Sequence, residues 1–162
     1  MRSILLRKQV AGNRLSIPNT QLLRLSMYLL YMIPLLFASY VYLETTSKGQ
    51  SFFTLIEQDP LITILFIIAM THPFCGLVLH FLIKGQKNNK HAEFNGNALF
   101  IVAAAELIMG NIIVFFMLLL FLFTNKQKLT WRQKNGLKET MLASTILGFS
   151  IIYLSLFVKI LH

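Results

Sequence analysis

The chain has 162 residues, of which 56% are apolar and 13% are charged, and its 15 Lys and Arg against 6 Asp and Glu give a net charge of +9. A soluble globular domain carries about 25% charged residues, so this composition excludes one and is typical of a membrane protein. The basic residues flank apolar stretches, which favours attraction to anionic lipid headgroups over binding to nucleic acid.

The N-terminal 21 residues are basic and carry scattered apolar side chains. They fit either a short amphipathic helix in the headgroup plane or a mobile tail. A cleavable signal peptide does not fit, because the apolar region of a signal is about 7 to 15 residues and the first apolar stretch is longer. We therefore expect that stretch to remain in the membrane.

Four apolar stretches are each long enough to cross a bilayer, whose hydrocarbon core of about 30 Å needs about 20 helical residues. They are Leu22 to Leu43, Pro60 to Ile83, Ala98 to Phe123 and Met141 to Leu161. Short connections make consecutive helices antiparallel neighbours. The sequence therefore predicts an all-α polytopic integral membrane protein, in which residues 22–162 form one four-helix transmembrane bundle.

Prolines mark the start of the second span and predicted bends in the first two spans. Asp59 followed by Pro60 supplies an N-cap carboxylate and a first-turn proline, which marks the start of the second span. Pro34 in the first span, and Pro73 with Gly76 in the second, predict helix bends because each proline removes a backbone donor.

The distribution of Lys and Arg predicts the orientation. With the N terminus in the cytoplasm, nine basic residues lie inside and six outside, in the direction that the positive-inside rule requires. The third connection is a misfit, because its five basic residues would lie outside; they would lie inside if the second span were re-entrant. Four crossings predict both termini in the cytoplasm. The richness in Ile, Leu, Phe, Lys and Asn is typical of proteins encoded by AT-rich bacterial genomes. The expected location is therefore the cytoplasmic membrane of a bacterium.

Glu106 is the foremost polar residue inside a predicted span. A charge at the bilayer centre costs about 2.5 to 3.5 kcal/mol, so it persists only if it is paired, neutralised or facing a cavity. Ala103, Glu106 and Gly110 share a helix face, where small neighbours let another helix approach, and Asn111 follows. Glu106 is interpreted either as a hydrogen-bonded strut between helices or as a proton or cation site.

The second span carries His72, Cys75 and His80. Counting back from the connection between the second and third spans sets His72 within one helical turn of Glu106 in depth, so the two could pair and share a proton. The alternative is that His80 reaches the interface while His72 bonds a backbone carbonyl. The spacing of these residues fits no known metal motif, so no metal site is predicted.

The fourth span contains a pair of small residues four positions apart. Ser144 and Gly148 suit close contact between helices, either within the bundle or across a dimer interface.

These features support two hypotheses for function. The first is a non-catalytic accessory or subunit of a larger membrane assembly, whose partners are the anionic bilayer and another membrane protein or a second copy of the chain. The rival is a small transporter or channel that uses Glu106 and His72. An enzyme is less favoured, because no second acid or exposed nucleophile accompanies Glu106, and no cofactor is predicted.

Overall fold

A computed structural model describes residues 19–88, 94–125, 129–130 and 137–161. Residues 1–18, on which the predicted tail or interfacial helix falls, lie outside the described residues. The described part contains six helices and two short strands. In chain order they are α1 (Asn19–Lys48), α2 (Phe52–Gln58), α3 (Pro60–Asn88), β1 (Phe94–Asn95), α4 (Gly96–Ile108), α5 (Ile112–Thr124), β2 (Leu129–Thr130) and α6 (Leu137–Leu161).

Three of these helices, α1, α3 and α6, are long and apolar enough to span a membrane. They contain 30, 29 and 25 residues, and at about 1.5 Å of rise per residue each exceeds the hydrocarbon core of about 30 Å. Many of their large apolar side chains are exposed, as lipid-facing side chains are. The structure is therefore compatible with a membrane protein, as the composition predicts.

The connection between the first two long helices holds a short helix that the sequence analysis did not predict. Helix α2 is capped by the Ser51 side chain, which accepts from the Thr54 N–H. Asp59 then caps α3, because its Oδ1 atom accepts from the Leu61 N–H at 2.9 Å. Helix α3 begins at Pro60, the residue at which the second span was predicted to start.

The third predicted span, Ala98 to Phe123, is not one helix, and a four-span bundle is not confirmed. It consists of α4 and α5, which are separated at Met109–Asn111. Gly110 has a φ of +79°, a conformation that glycine adopts without steric cost. The Asn111 N–H donates to the Glu106 carbonyl at 2.8 Å and the Gly110 N–H donates to the Leu107 carbonyl at 3.1 Å. This is a Schellman motif, which satisfies the carbonyls at the end of α4 and turns the chain.

The two half-length helices form a hairpin that enters and leaves at the same end of the molecule. The rings of Phe94, before α4, and Phe121, near the end of α5, are in edge contact with centroids 5.0 Å apart. Strands β1 and β2 pair in parallel, with Phe94 opposite Leu129. Since α4 has 13 residues and rises only about 20 Å, neither helix of the hairpin is by itself long enough to cross a hydrocarbon core of about 30 Å.

The buried core divides between the two ends of the molecule. The larger cluster joins α1, α3, the hairpin and α6, and includes Leu23, Leu79, Phe94 and Phe121. The smaller cluster, Val41, Leu55 and Ile62, joins α1, α2 and α3 at the opposite end. The hairpin therefore packs against the three long helices at one end of the bundle only.

Candidate functional site

The candidate site surrounds the Glu106 carboxyl group in the last turn of α4, close to the tip of the hairpin. Glu106 has no solvent-exposed surface. Its Oε2 atom accepts a hydrogen bond from Asn111 Nδ2 at 2.7 Å and lies 3.4 Å from His72 Nε2 on α3. The structure thus brings three of the predicted polar residues together.

Asn111 links the two helices of the hairpin through its side chain as well as its backbone. Its Nδ2 group donates to Glu106, while its Oδ1 atom accepts from the Val114 N–H at 3.4 Å and caps the start of α5. The backbone N–H of the same residue closes the Schellman motif on the Glu106 carbonyl. One asparagine therefore ends α4, begins α5 and holds the buried carboxyl group.

His72 is buried, and the contact of its Nδ1 atom shows that this nitrogen is protonated. Nδ1 lies 2.7 Å from the Ile68 carbonyl oxygen, and a carbonyl can only accept, so Nδ1 carries a proton. Attraction between Nε2 and Glu106 Oε2 then requires one further proton between them, on either atom. Both arrangements, imidazolium with carboxylate and imidazole with carboxylic acid, have zero net charge. A neutral pair is what an apolar interior tolerates.

Two further features complete the surroundings of the carboxyl group. The Cys75 side chain is fully buried and interacts with Glu106. The Oε1 atom of Glu106 is buried without a hydrogen-bond partner among the described residues. No group of three or more His, Cys, Asp or Glu that could hold a metal ion occurs in the described part of the chain. The cluster can share a proton and fasten the hairpin to α3.

Other predicted residues of the second span lie away from this cluster. His80 is exposed and its ring contacts Phe81. Gly76 is buried against α1, where an added Cβ would lie 3.2 Å from the Tyr31 ring, so its small size permits close packing of α1 and α3. Helices α1 and α3 run through Pro34 and Pro73 respectively without interruption.

The residues predicted to pack helices divide into two groups. Ala103 is buried in α4. Gly110 does not pack against a helix, because nothing lies within 4 Å of a Cβ added there, and its function is the turn conformation instead. Ser144 and Gly148 are exposed on α6, and Gly148 also faces open space. Contact of these two residues within the described bundle is therefore not observed.

Asn95 and Thr140 fasten the base of the hairpin to α6, and sequence reasoning gave them no such function. Asn95 accepts from the Ala98 N–H as the N-cap of α4 and donates through Nδ2 to Thr140 Oγ1 at 2.8 Å. The sequence signal for the cap, an asparagine before an apolar run, was present. No local pattern indicates its partner 45 residues away.

The comparisons with known proteins give no family for this arrangement. No protein-family model matches the sequence, and searches of the curated proteins and of the solved structures give no significant match.

Proposed function

We propose that this protein is a non-catalytic integral membrane component that acts by binding another membrane protein. The observation that supports this proposal is the internal use of the polar cluster. Glu106 and His72 are buried against each other, and Asn111 takes up the same carboxyl group. Polar groups that pair with one another inside the fold stabilise a scaffold and leave recognition to the outer helix faces.

The outer face of α6 is the best-supported contact surface. Ser144 and Gly148 are exposed at a spacing of four residues, and Ser155 is exposed further along the helix. Small residues at this spacing let a second helix approach closely within a bilayer. The partner is either a helix of another membrane protein or α6 of a second copy.

Adding bulk to this face tests the proposal. Gly148→Leu should abolish association with the partner, measured by cross-linking in native membranes followed by mass spectrometry of the complex. Leu154→Phe is the matched control, because it adds bulk at an exposed position about 120° away around the helix. If both variants associate as the wild type does, the α6 face is not the contact surface.

A small transporter or channel is the second candidate, and it is supported by the broken helix. Irregular backbone at membrane depth is tolerated where it is buried in protein or lines a cavity, and helix breaks mark ion sites in transporters. The unpartnered Oε1 atom of Glu106 beside the break fits an ion or proton ligand. Flux in proteoliposomes that Glu106→Gln abolishes would favour this candidate; no wild-type flux would count against it.

The orientation that fits this fold has the N terminus in the cytoplasm and the C-terminal end of α6 outside. In this proposed topology the segments with sequence positions 1–24, 84–97 and 125–138 would lie on the cytoplasmic side. Those segments carry five, three and five of the basic residues, which makes thirteen, against Lys48 and Lys159 at the other end. Thirteen to two satisfies the positive-inside rule better than nine to six. A bacterial cytoplasmic membrane remains the proposed location.

A further inference from the structure

An apolar groove of about 610 Å³ lies between the two helices of the hairpin. One face of α4 and one face of α5 form its walls, and Leu129 of β2 lies at its base. Its rims are open to the surroundings, since Phe100 is 59% exposed and Phe123 is 60% exposed. The volume lies within the range of about 300 to 1,000 Å³ that is typical of ligand sites.

Two alanines leave the space that forms this groove. Ala103 and Ala104 line it at the centre of α4, between the larger side chains of Phe100 and Leu107. These four positions recur at i, i+3, i+4 and i+7, which places them on one helix face. Leucine at the central positions would fill the space, so the groove follows directly from the alanine run.

The shape of the groove matches one lipid tail. It is bounded by carbon side chains alone, so it offers no partner for a polar ligand. It follows a hairpin whose first helix rises about 20 Å, and one leaflet of the hydrocarbon core is about 15 Å thick. A fatty acyl chain that enters at the hairpin base and ends near the tip has the required length and polarity.

The charge around the base selects the headgroup. Lys138, in the first turn of α6, is exposed at this end of the molecule. Arg24 and Lys84 are exposed on the described helices at the same end. Among the described residues, Glu139 is the only acid near this end. Each basic side chain near the surface attracts anionic lipid by about 1 kcal/mol.

We propose that the α4–α5 groove binds one acyl chain of an anionic phospholipid whose headgroup lies at the hairpin base. The bound lipid covers the hairpin face that α1, α3 and α6 leave open. This site does not depend on the identity of a protein partner or on the side of the membrane at which the base lies.

Fluorescence quenching by brominated lipid tests the site. Phe100→Trp in a Trp131→Phe background places the only tryptophan on the groove rim. The full-length protein is reconstituted in vesicles that contain brominated phosphatidylglycerol or brominated phosphatidylcholine at equal fraction. We expect quenching of this tryptophan to show about fivefold stronger association with brominated phosphatidylglycerol than with brominated phosphatidylcholine. That ratio corresponds to the attraction of about 1 kcal/mol that one basic side chain contributes.

A second reporter and a blocked groove provide the controls. Ile113 is exposed and lies outside the groove lining. The fluorescence of an Ile113→Trp reporter should therefore be quenched almost equally by both brominated lipids, as bulk contact requires. Ala104→Leu should fill the groove and bring the Phe100→Trp ratio towards one, while Ala38→Leu on the exposed face of α1 should leave it unchanged. Equal ratios for the two reporters in the unblocked protein would overturn the proposal, whether or not the Ala104→Leu variant folds.

Discussion

The Glu106 carboxyl group is held by two contacts, with the imidazole of His72 on α3 and with the amide of Asn111. Each contact replaces part of the hydration that burial removes. Hydrogen bonding inside the membrane stabilises modestly, by about 0.6 kcal/mol on average, but a buried group that loses its partner costs more. The cluster therefore matters most through what its loss would leave unpaired.

Replacing Glu106 by glutamine or by leucine should separate these effects. Glutamine keeps one acceptor for Asn111 and gains a donor for His72 Nε2, whereas leucine leaves both partners unsatisfied. We expect Glu106→Leu to be less stable than Glu106→Gln by about 1 to 2 kcal/mol. Unfolding in mixed micelles, followed by circular dichroism, measures the difference. Equal stability of the two variants would show that the carboxyl contacts do not support the fold.

Asn111→Asp should reveal whether the amide donor or the cap matters more. Aspartate retains the oxygen that caps α5 but removes the donor and sets two carboxyl groups together. The variant should be destabilised by about 1 to 3 kcal/mol, and much less so in a Glu106→Gln background, because the acid–acid contact is then absent. A double-mutant cycle of unfolding free energies gives the coupling. Additive effects would place the cost in the cap instead.

The proximity of His72 and Glu106 could be predicted from the sequence, although the break beyond them was missed. Both residues lie before Gly110, so counting along the two helices from their connection was valid. The helix break escaped because a 26-residue apolar stretch has the same hydropathy whether it forms one long helix or two helices of 13 residues. The pair Gly110–Asn111 carried the signal, as a C-terminal glycine followed by an N-cap asparagine, but was interpreted as packing and polarity.

At the scale of the elements, the turn at Gly110 makes residues 96–124 a hairpin of two short helices instead of one long helix. The positive φ and two backbone hydrogen bonds define it. The hairpin is then fixed at its tip by the Glu106 cluster and at its base by the Phe94–Phe121 contact and the bond from Asn95 to Thr140. It is therefore held at both ends by side chains far apart in the sequence, which local patterns do not reveal.

Two glycines test the turn directly, because nothing lies within 4 Å of a Cβ added at either one. Gly110→Ala should destabilise the protein by about 1 to 2 kcal/mol, since a side chain is strained at a positive φ. Gly148→Ala, in the middle of a regular helix, should stabilise it by about 0.5 to 1 kcal/mol. Thermal melting of both variants in the same detergent measures the contrast. Similar shifts of the same sign would contradict the turn conformation.

At the scale of the whole molecule, the proposed arrangement of three crossings and a hairpin replaces the four predicted crossings and so reverses the predicted position of the C-terminal end. The proposed arrangement would also place on the cytoplasmic side the third connection, whose five basic residues disagreed with the four-span prediction. From the sequence, this disagreement suggested re-entry of the second span and not of the third. Charge counts report the side on which a connection lies and do not identify which helix turns back.

Labelling of single cysteines in intact cells distinguishes the two topologies. In a Cys75→Ala background, an impermeant maleimide added outside should label Lys48→Cys and Lys159→Cys, and should label Lys84→Cys and Lys138→Cys only after the membrane is opened. Four crossings predict the reverse for Lys138→Cys and Lys159→Cys, while the other two serve as internal controls. Labelling of Lys138→Cys from outside would rule out the three-crossing arrangement.

The bond between Asn95 and Thr140 has a consequence for biogenesis. The hairpin is translated before α6, so when α4 and α5 leave the ribosome the Thr140 hydroxyl group that fixes their base has not yet emerged. Neither half-length helix can anchor itself by crossing the bilayer. Final packing of the hairpin therefore requires insertion of a later helix. A ribosome that stalled before Leu137 would leave a nascent chain whose hairpin lacks the bond from Asn95 to Thr140.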